Sequence, residues 1–138
     1  MIYIRLYLYF DLIGITSVPY IVATMSRIKE ISVSELSSQM RNSDRFELID
    51  IRTPAEIERG VLPNANILAM HMIPLKLDYF SESQNQIVIY CRTGSRSAQV
   101  CRFLKQQGID NTISLRGGVV KWSGSGHALE PEPKAIIA

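Results

Sequence analysis

Seven residues near the middle of the chain, Cys91-Arg92-Thr93-Gly94-Ser95-Arg96-Ser97, combine a nucleophile, two cations and a glycine. A cysteine reacts as its thiolate, so the question is whether the surroundings favour negative charge on sulfur. Three features do. The apolar run QIVIY ends at Tyr90 and a helical pattern begins at Ser95, so the segment joins a buried strand to a helix N-terminus. Such a terminus presents unpaired N–H groups and a partial positive charge. Gly94 lets the backbone curl so that successive N–H groups converge on an anion, and Arg92 and Arg96 add full charges. Cys91 is therefore expected to titrate below an ordinary cysteine. A cysteine that merely ends a strand as a small hydrophobe would leave the arginines and the glycine without a purpose.

The elements that must position this segment are set by hydrophobic pattern and punctuation. Residues 28–33 alternate as a half-buried strand, and Ser34 is placed as the cap of a helix over 34–41. Residues 46–51, FELIDI, are apolar enough for a strand buried on both faces. Pro54 opens a short helix that Gly60 stops, and 65–70 form a third strand followed by a helix over 74–80. Residues 86–90 are the clearest strand, and the helix from 95 to 107 ends at Gly108. A strand over 111–115, the pair Gly117-Gly118 and a short helix around Trp122 complete the pattern. Strands alternating with helices predict an α/β fold, a mainly parallel five-stranded sheet with helices on both faces. Ligands bind beyond the carboxyl ends of such strands, where Cys91 stands.

Length and composition bound the rest. The chain of 138 residues has room for one ordinary domain, and its 46% hydrophobic and 20% charged residues are typical of globular proteins. A net charge of +2 is too balanced for a nucleic-acid grip. Cys91 and Cys101 are too few for a disulfide scaffold and lack zinc spacing, so no metal is expected and a reducing compartment fits better. Residues 1–24 differ in character from residues 25–138, with Tyr3, Tyr7, Tyr9, Phe10 and Tyr20 in one stretch. Arg5, Asp11 and Pro19 interrupt the run of about 18 apolar residues that a membrane span needs. The order of charges is also wrong for a secretory signal. The reading is therefore a domain over 25–128 that begins at Met25, preceded by an extension from an upstream mis-start rather than a signal or anchor. Residues 129–138 are read as a loose, flexible tail. The expected location is cytoplasmic, and exported or membrane-anchored if 1–24 act as a signal or anchor.

With these residues in place, the sequence resembles the single-domain rhodanese (thiosulfate sulfurtransferase) family over about residues 28–127. Three motifs carry the resemblance: the loop CRTGSRS at 91–97, the block LIDIRTPAE at 48–56 with Gly60 and Pro63-Asn64-Ala65, and the closing LRGGVVKW at 115–122. Val61 and Asn64 depart from it, standing where the family often has histidine and glycine. The resemblance implies sulfur transfer through a covalent Cys91 persulfide, without metal or organic cofactor. The loop N–H groups of Arg92, Thr93, Gly94, Ser95 and Arg96 would hold the outer sulfur. Arg92 would meet a donor's sulfonate and Arg96 would fix the loop. Asp50, Arg52, Glu56, Gly117, Gly118 and Trp122 would act as supports, with Arg52 and Glu56 also spaced as an ordinary pair one helical turn apart. The implied partners are a small donor, thiosulfate or a persulfide, and a thiol, cyanide or protein acceptor.

Two other functions use related residues. A cysteine phosphatase or arsenate reductase places its arginine six residues after the cysteine, whereas Arg96 comes five after Cys91. A smaller ring of N–H groups suits one sulfur and crowds a tetrahedral phosphate. A rhodanese-like sulfur-carrier or protein-binding module is the non-enzymatic alternative. Cys101 shares a helical face with Ala98 and Leu104 and reads as core, as does Trp122, and His71 and His127 are isolated.

Overall fold

The fold is seen in a computed structural model that describes residues 27–42 and 45–138. The readings made for residues 1–24 and for a start at Met25 lie outside the described residues. The first strand, β1 (Lys29–Ile31), is shorter than its alternation suggests because Ser32 turns the chain into α1 (Val33–Arg41). Ser32, not Ser34, is the cap: its hydroxyl accepts from the Glu35 N–H while the Glu35 carboxylate accepts from the Ser32 N–H. That reciprocal arrangement satisfies two N–H groups at once, which no cap at Ser34 would do.

Along the chain come β2 (Phe46–Asp50), α2 (Pro54–Ile57), β3 (Asn66–Ile67), a 3-10 turn (Met70–Leu75) and α3 (Leu77–Glu82). Pro74, expected to open a helix, sits inside the 3-10 turn, and the helix begins after it. β4 (Gln86–Tyr90), α4 (Ser95–Gln106), β5 (Thr112–Leu115) and α5 (Gly118–Gly124) lie where the pattern puts them, within a residue or two. A sixth strand, β6 (Ala135–Ile136), comes from the segment expected to be a loose tail.

All pairs in the sheet are parallel and its order is β1-β5-β4-β2-β3-β6, six strands rather than five. The tail reading is corrected by named bonds. Val61 and Glu130 exchange N–H···O bonds of 2.9 and 2.8 Å, and the N–H groups of Lys134 and Ile137 donate to Ala65 and Ile67. Side chains alternate to two buried layers. Leu48, Val88 and Tyr90 meet α1 and α5 through Leu36, Val119 and Trp122. Ile49, Ile87, Ile89 and Cys91 meet α3 and α4 through Phe80, Val100, Cys101 and Leu104. No helix among the described residues is long and apolar enough to cross a membrane.

This topology sets the site. The chain leaves β2 for β3 on one side and leaves β4 for β5 on the other, yet β2 and β4 are neighbours. Their connections diverge and open a crevice at their carboxyl ends, the position at which parallel sheets bind ligands. Asp50 and Tyr90 are register partners there, so Ile51-Arg52 and Cys91-Arg92 emerge side by side.

Candidate active site

The first residue past β4 is Cys91, which is fully buried. Its Sγ accepts the Gly94 N–H at 3.1 Å and the Ser97 N–H at 3.4 Å, and lies 3.7 Å from the Ser97 hydroxyl. The loop achieves this by sorting its peptide groups. The carbonyls of Cys91 and Arg92 are taken by the N–H groups of Val119 and Val120, each at 3.0 Å. Because a trans peptide points its C=O and N–H in opposite directions, anchoring those carbonyls on α5 turns the adjoining N–H groups away from α5 and into the loop. The first N–H groups of α4 have no partner within the helix and close the ring.

Two glycines make this packing possible. Gly94 sits at φ +102° as the N-cap of α4. A Cβ on Gly118 would come 2.5 Å from the carbonyl oxygens of both Cys91 and Arg92, so α5 can approach the loop only without a side chain there. Gly117 precedes it as the N-cap of α5, and Trp122 holds the far side by donating its indole N–H to the Ala128 carbonyl at 3.0 Å. Trp122 lies in the core and its ring packs on His127.

The Cys91 thiol is held below its ordinary value by opposed causes. Burial is the largest and works against the thiolate; the N–H of Ser97, its hydroxyl, and the N–H groups of Gly94 and Thr93 outweigh it. Of the two arginines expected to share in this, Arg96 does attract the Cys91 charge, but neither is among the leading causes. Arg92 is exposed at the rim of the loop, while Arg96 makes a bidentate pair with Glu56, at 2.9 and 2.6 Å, that matches its charge. The lowering comes chiefly from N–H groups and one hydroxyl.

The supports are connected differently from the helical-turn pair that the spacing suggests. Arg52 does not pair with the Glu56 carboxylate. Its backbone N–H, Nε and Nη2 all donate to the buried Asp50 carboxylate, at 2.7 to 3.1 Å. The remaining donors reach the carbonyls of Gly60 and Glu56, and the guanidinium stacks 5.7 Å from the Tyr90 ring centre. The Tyr90 hydroxyl in turn accepts the Leu62 N–H at 3.0 Å. Glu56 is left free for Arg96, and its carboxyl is held down at about 2, first by Arg96 and, against burial, also by Thr53. Asn64, standing where the resembling family often has glycine, holds φ +61°, a left-handed conformation that asparagine tolerates.

Sequence reasoning missed Ser97 as a ligand of the sulfur, and it missed Ser114 altogether. The Ser114 hydroxyl on β5 is 2.7 Å from that of Ser97. The signal for Ser97 was available: it occupies the third position of α4, where an N–H is unpartnered. Ser114 gives no such sign, since a polar residue in a buried strand is recognisable only once its partner is known.

A profile of the rhodanese-like domain matches residues 32–125. The chain belongs to the rhodanese-like domain family. Among its relatives is a sulfurtransferase of Allochromatium vinosum, 41% identical over 99 residues that cover 72% of this chain and 92% of the relative. Another is the putative sulfurtransferase YtwF of Bacillus subtilis, 35% identical over 107 residues, 78% of this chain and 97% of that one. A rhodanese-like domain protein from Staphylococcus aureus has a solved structure that superposes with a TM-score of 0.65 at 32% identity, covering 75% of this chain and 99% of that one. The rhodanese-like fold read from the three motifs is thus the fold observed, and the CRTGSRS segment is its loop beyond β4.

Proposed function

We propose that this rhodanese-like domain is a sulfurtransferase that carries sulfane sulfur on Cys91. With thiosulfate, the Cys91 thiolate attacks the outer sulfur, a new S–S bond forms, and sulfite leaves with the electron pair of the broken S–S bond. The outer sulfur of the resulting persulfide carries the negative charge. The loop N–H groups of residues 92–97 are assigned to stabilise that sulfur anion. A thiol, cyanide or protein acceptor then attacks the outer sulfur, and the Cys91 thiolate departs to complete a double displacement. Both steps use only the sulfur and the loop, so the proposal needs no metal or organic cofactor. A persulfide donor enters by the same attack.

The observation that carries this reading is the pair of N–H groups, from Gly94 and Ser97, aimed at Cys91 Sγ. Arg92, exposed on the rim, is assigned to the sulfonate of the donor. Arg96, five residues after Cys91 rather than six and paired with Glu56, is assigned to bracing the loop rather than to gripping a phosphate. The sulfurtransferase names of the two relatives agree with the proposal. Both cysteines are unpaired thiols, which suits a reducing compartment, and we place the protein in the cytoplasm.

A donor panel tests this: thiosulfate, a persulfide and mercaptopyruvate, each with cyanide as acceptor, beside a phosphate ester. Thiocyanate release with no phosphate release is the expected outcome. Phosphate release without thiocyanate would overturn the reading, and neither product would favour a binding or carrier module.

A further inference from the structure

Ser97 and Ser114 are 0% and 1% exposed, so their hydroxyl protons must be accounted for without solvent. Three groups surround the Ser97 oxygen: the Gly94 carbonyl at 3.1 Å, the Ser114 hydroxyl at 2.7 Å and Cys91 Sγ at 3.7 Å, long for a hydroxyl–sulfur contact. Once Cys91 is a thiolate, the carbonyl and the sulfur can only accept, and Ser97 has one proton. If Ser97 donated to Ser114, its lone pairs would face both the carbonyl oxygen and the sulfur anion. Donation from Ser114 removes the conflict. Ser97 is the one hydrogen-bond partner of the Ser114 hydroxyl among the described residues, so its proton is not committed elsewhere. The Gly94 carbonyl also accepts the Ala98 N–H at 3.0 Å, and it remains satisfied when the Ser97 proton turns away.

We propose that Ser114 and Ser97 form a two-hydroxyl positioning pair, in which Ser114 donates to Ser97 and the Ser97 proton turns between the Gly94 carbonyl and Cys91 sulfur as that sulfur loses and gains charge. The pair rests on the reading of Cys91 as the sulfur-bearing nucleophile. It acts at two moments of that cycle. It steadies the attacking thiolate, and it steadies the same thiolate when the acceptor removes the outer sulfur and Cys91 becomes the leaving group. In the persulfide between them, Sγ is neutral and the Ser97 proton returns to the carbonyl. The direction of the Cys91 titration agrees, because the Ser97 hydroxyl is one of the groups that favour the thiolate.

The test tracks iodoacetamide alkylation of Cys91 against pH by peptide mass mapping, a readout that does not require sulfur transfer. Ser97→Ala keeps the N–H bond to sulfur and deletes the hydroxyl, so the midpoint should rise by about one pH unit, about a tenfold change in the ionisation constant. Ser114→Ala should shift it the same way by about half as much, and should add nothing in a Ser97→Ala background, because its effect passes through Ser97. Ser114→Thr and Ser114→Val are matched in size and differ in the hydroxyl. If the alanine variant does not fold, the threonine form should keep the wild-type midpoint and the valine form should not. An unchanged midpoint in Ser97→Ala, or an equal Ser114→Ala shift in both backgrounds, would overturn the pair. A normal set of shifts in a protein that transfers no sulfur would instead fault the proposed function.

Discussion

Cys91 and Cys101 face the same half of the core and are 0% and 1% exposed, yet their thiols are driven in opposite directions. Cys101 lies within α4, where the helical N–H groups are spent on helical carbonyls, and burial pushes its thiol up to about 12. Cys91 lies just before that helix, where N–H groups are unspent, and they outweigh the same burial. Depth is therefore no guide to reactivity in this core. A buried thiol becomes a usable thiolate only where the backbone has donors to spare, and the carboxyl end of β4 is such a place.

The sharpest way to break this contrast is to move the loop without touching Cys101. In Gly118→Ala the new Cβ meets two carbonyl oxygens of the Cys91 loop, backbone atoms that have no rotamer to escape into. We expect a loss of about 2–3 kcal/mol in unfolding free energy by denaturant titration. The alkylation midpoint of Cys91 should move towards that of Cys101, and unchanged stability and midpoint would show that α5 does not hold the loop.

Removing the charge that pins Arg96 should have a smaller effect. Glu56→Gln should cost about 1 kcal/mol near neutral pH, the scale of a partly exposed bidentate pair. The Glu56 carboxyl is held at about 2 against an ordinary 4.5, so its contribution is fully present above the ordinary value and is lost as pH falls through that window. The stability gap between wild type and variant should close between those two values, and a gap independent of pH would show that charge is not what Glu56 contributes. Because Arg96 is not the main support of the thiolate, Cys91 should remain far more reactive than Cys101.

The elements that present Cys91 were legible in the sequence, and the contacts that tune it were only partly so. β4 and the start of α4 announce themselves through an unbroken apolar run and a glycine before a helical pattern, both local signals. β6 carries no such signal. It has two residues, both exposed, and exists because β3 offers an unpaired edge. The misassigned partner of Arg52 has the same origin. Glu56 is one helical turn away in sequence, but Arg52 turns back to Asp50 inside the crevice, and Glu56 finds Arg96 from a separation of 40 residues. Local spacing cannot decide between partners that the sheet brings together.

The central claim is that sulfur is loaded on the thiol that has free N–H groups and not on the one that is merely buried. Peptide mass mapping after incubation with thiosulfate tests it most directly. One added sulfur, about 32 Da, should appear on the peptide containing Cys91 and none on that containing Cys101, since each pKa unit between them is worth about 1.36 kcal/mol. Cys91→Ser should lose both the mass gain and thiocyanate formation, while Cys101→Ser keeps most of each. Sulfur found on Cys101, or turnover that survives Cys91→Ser, would contradict the account.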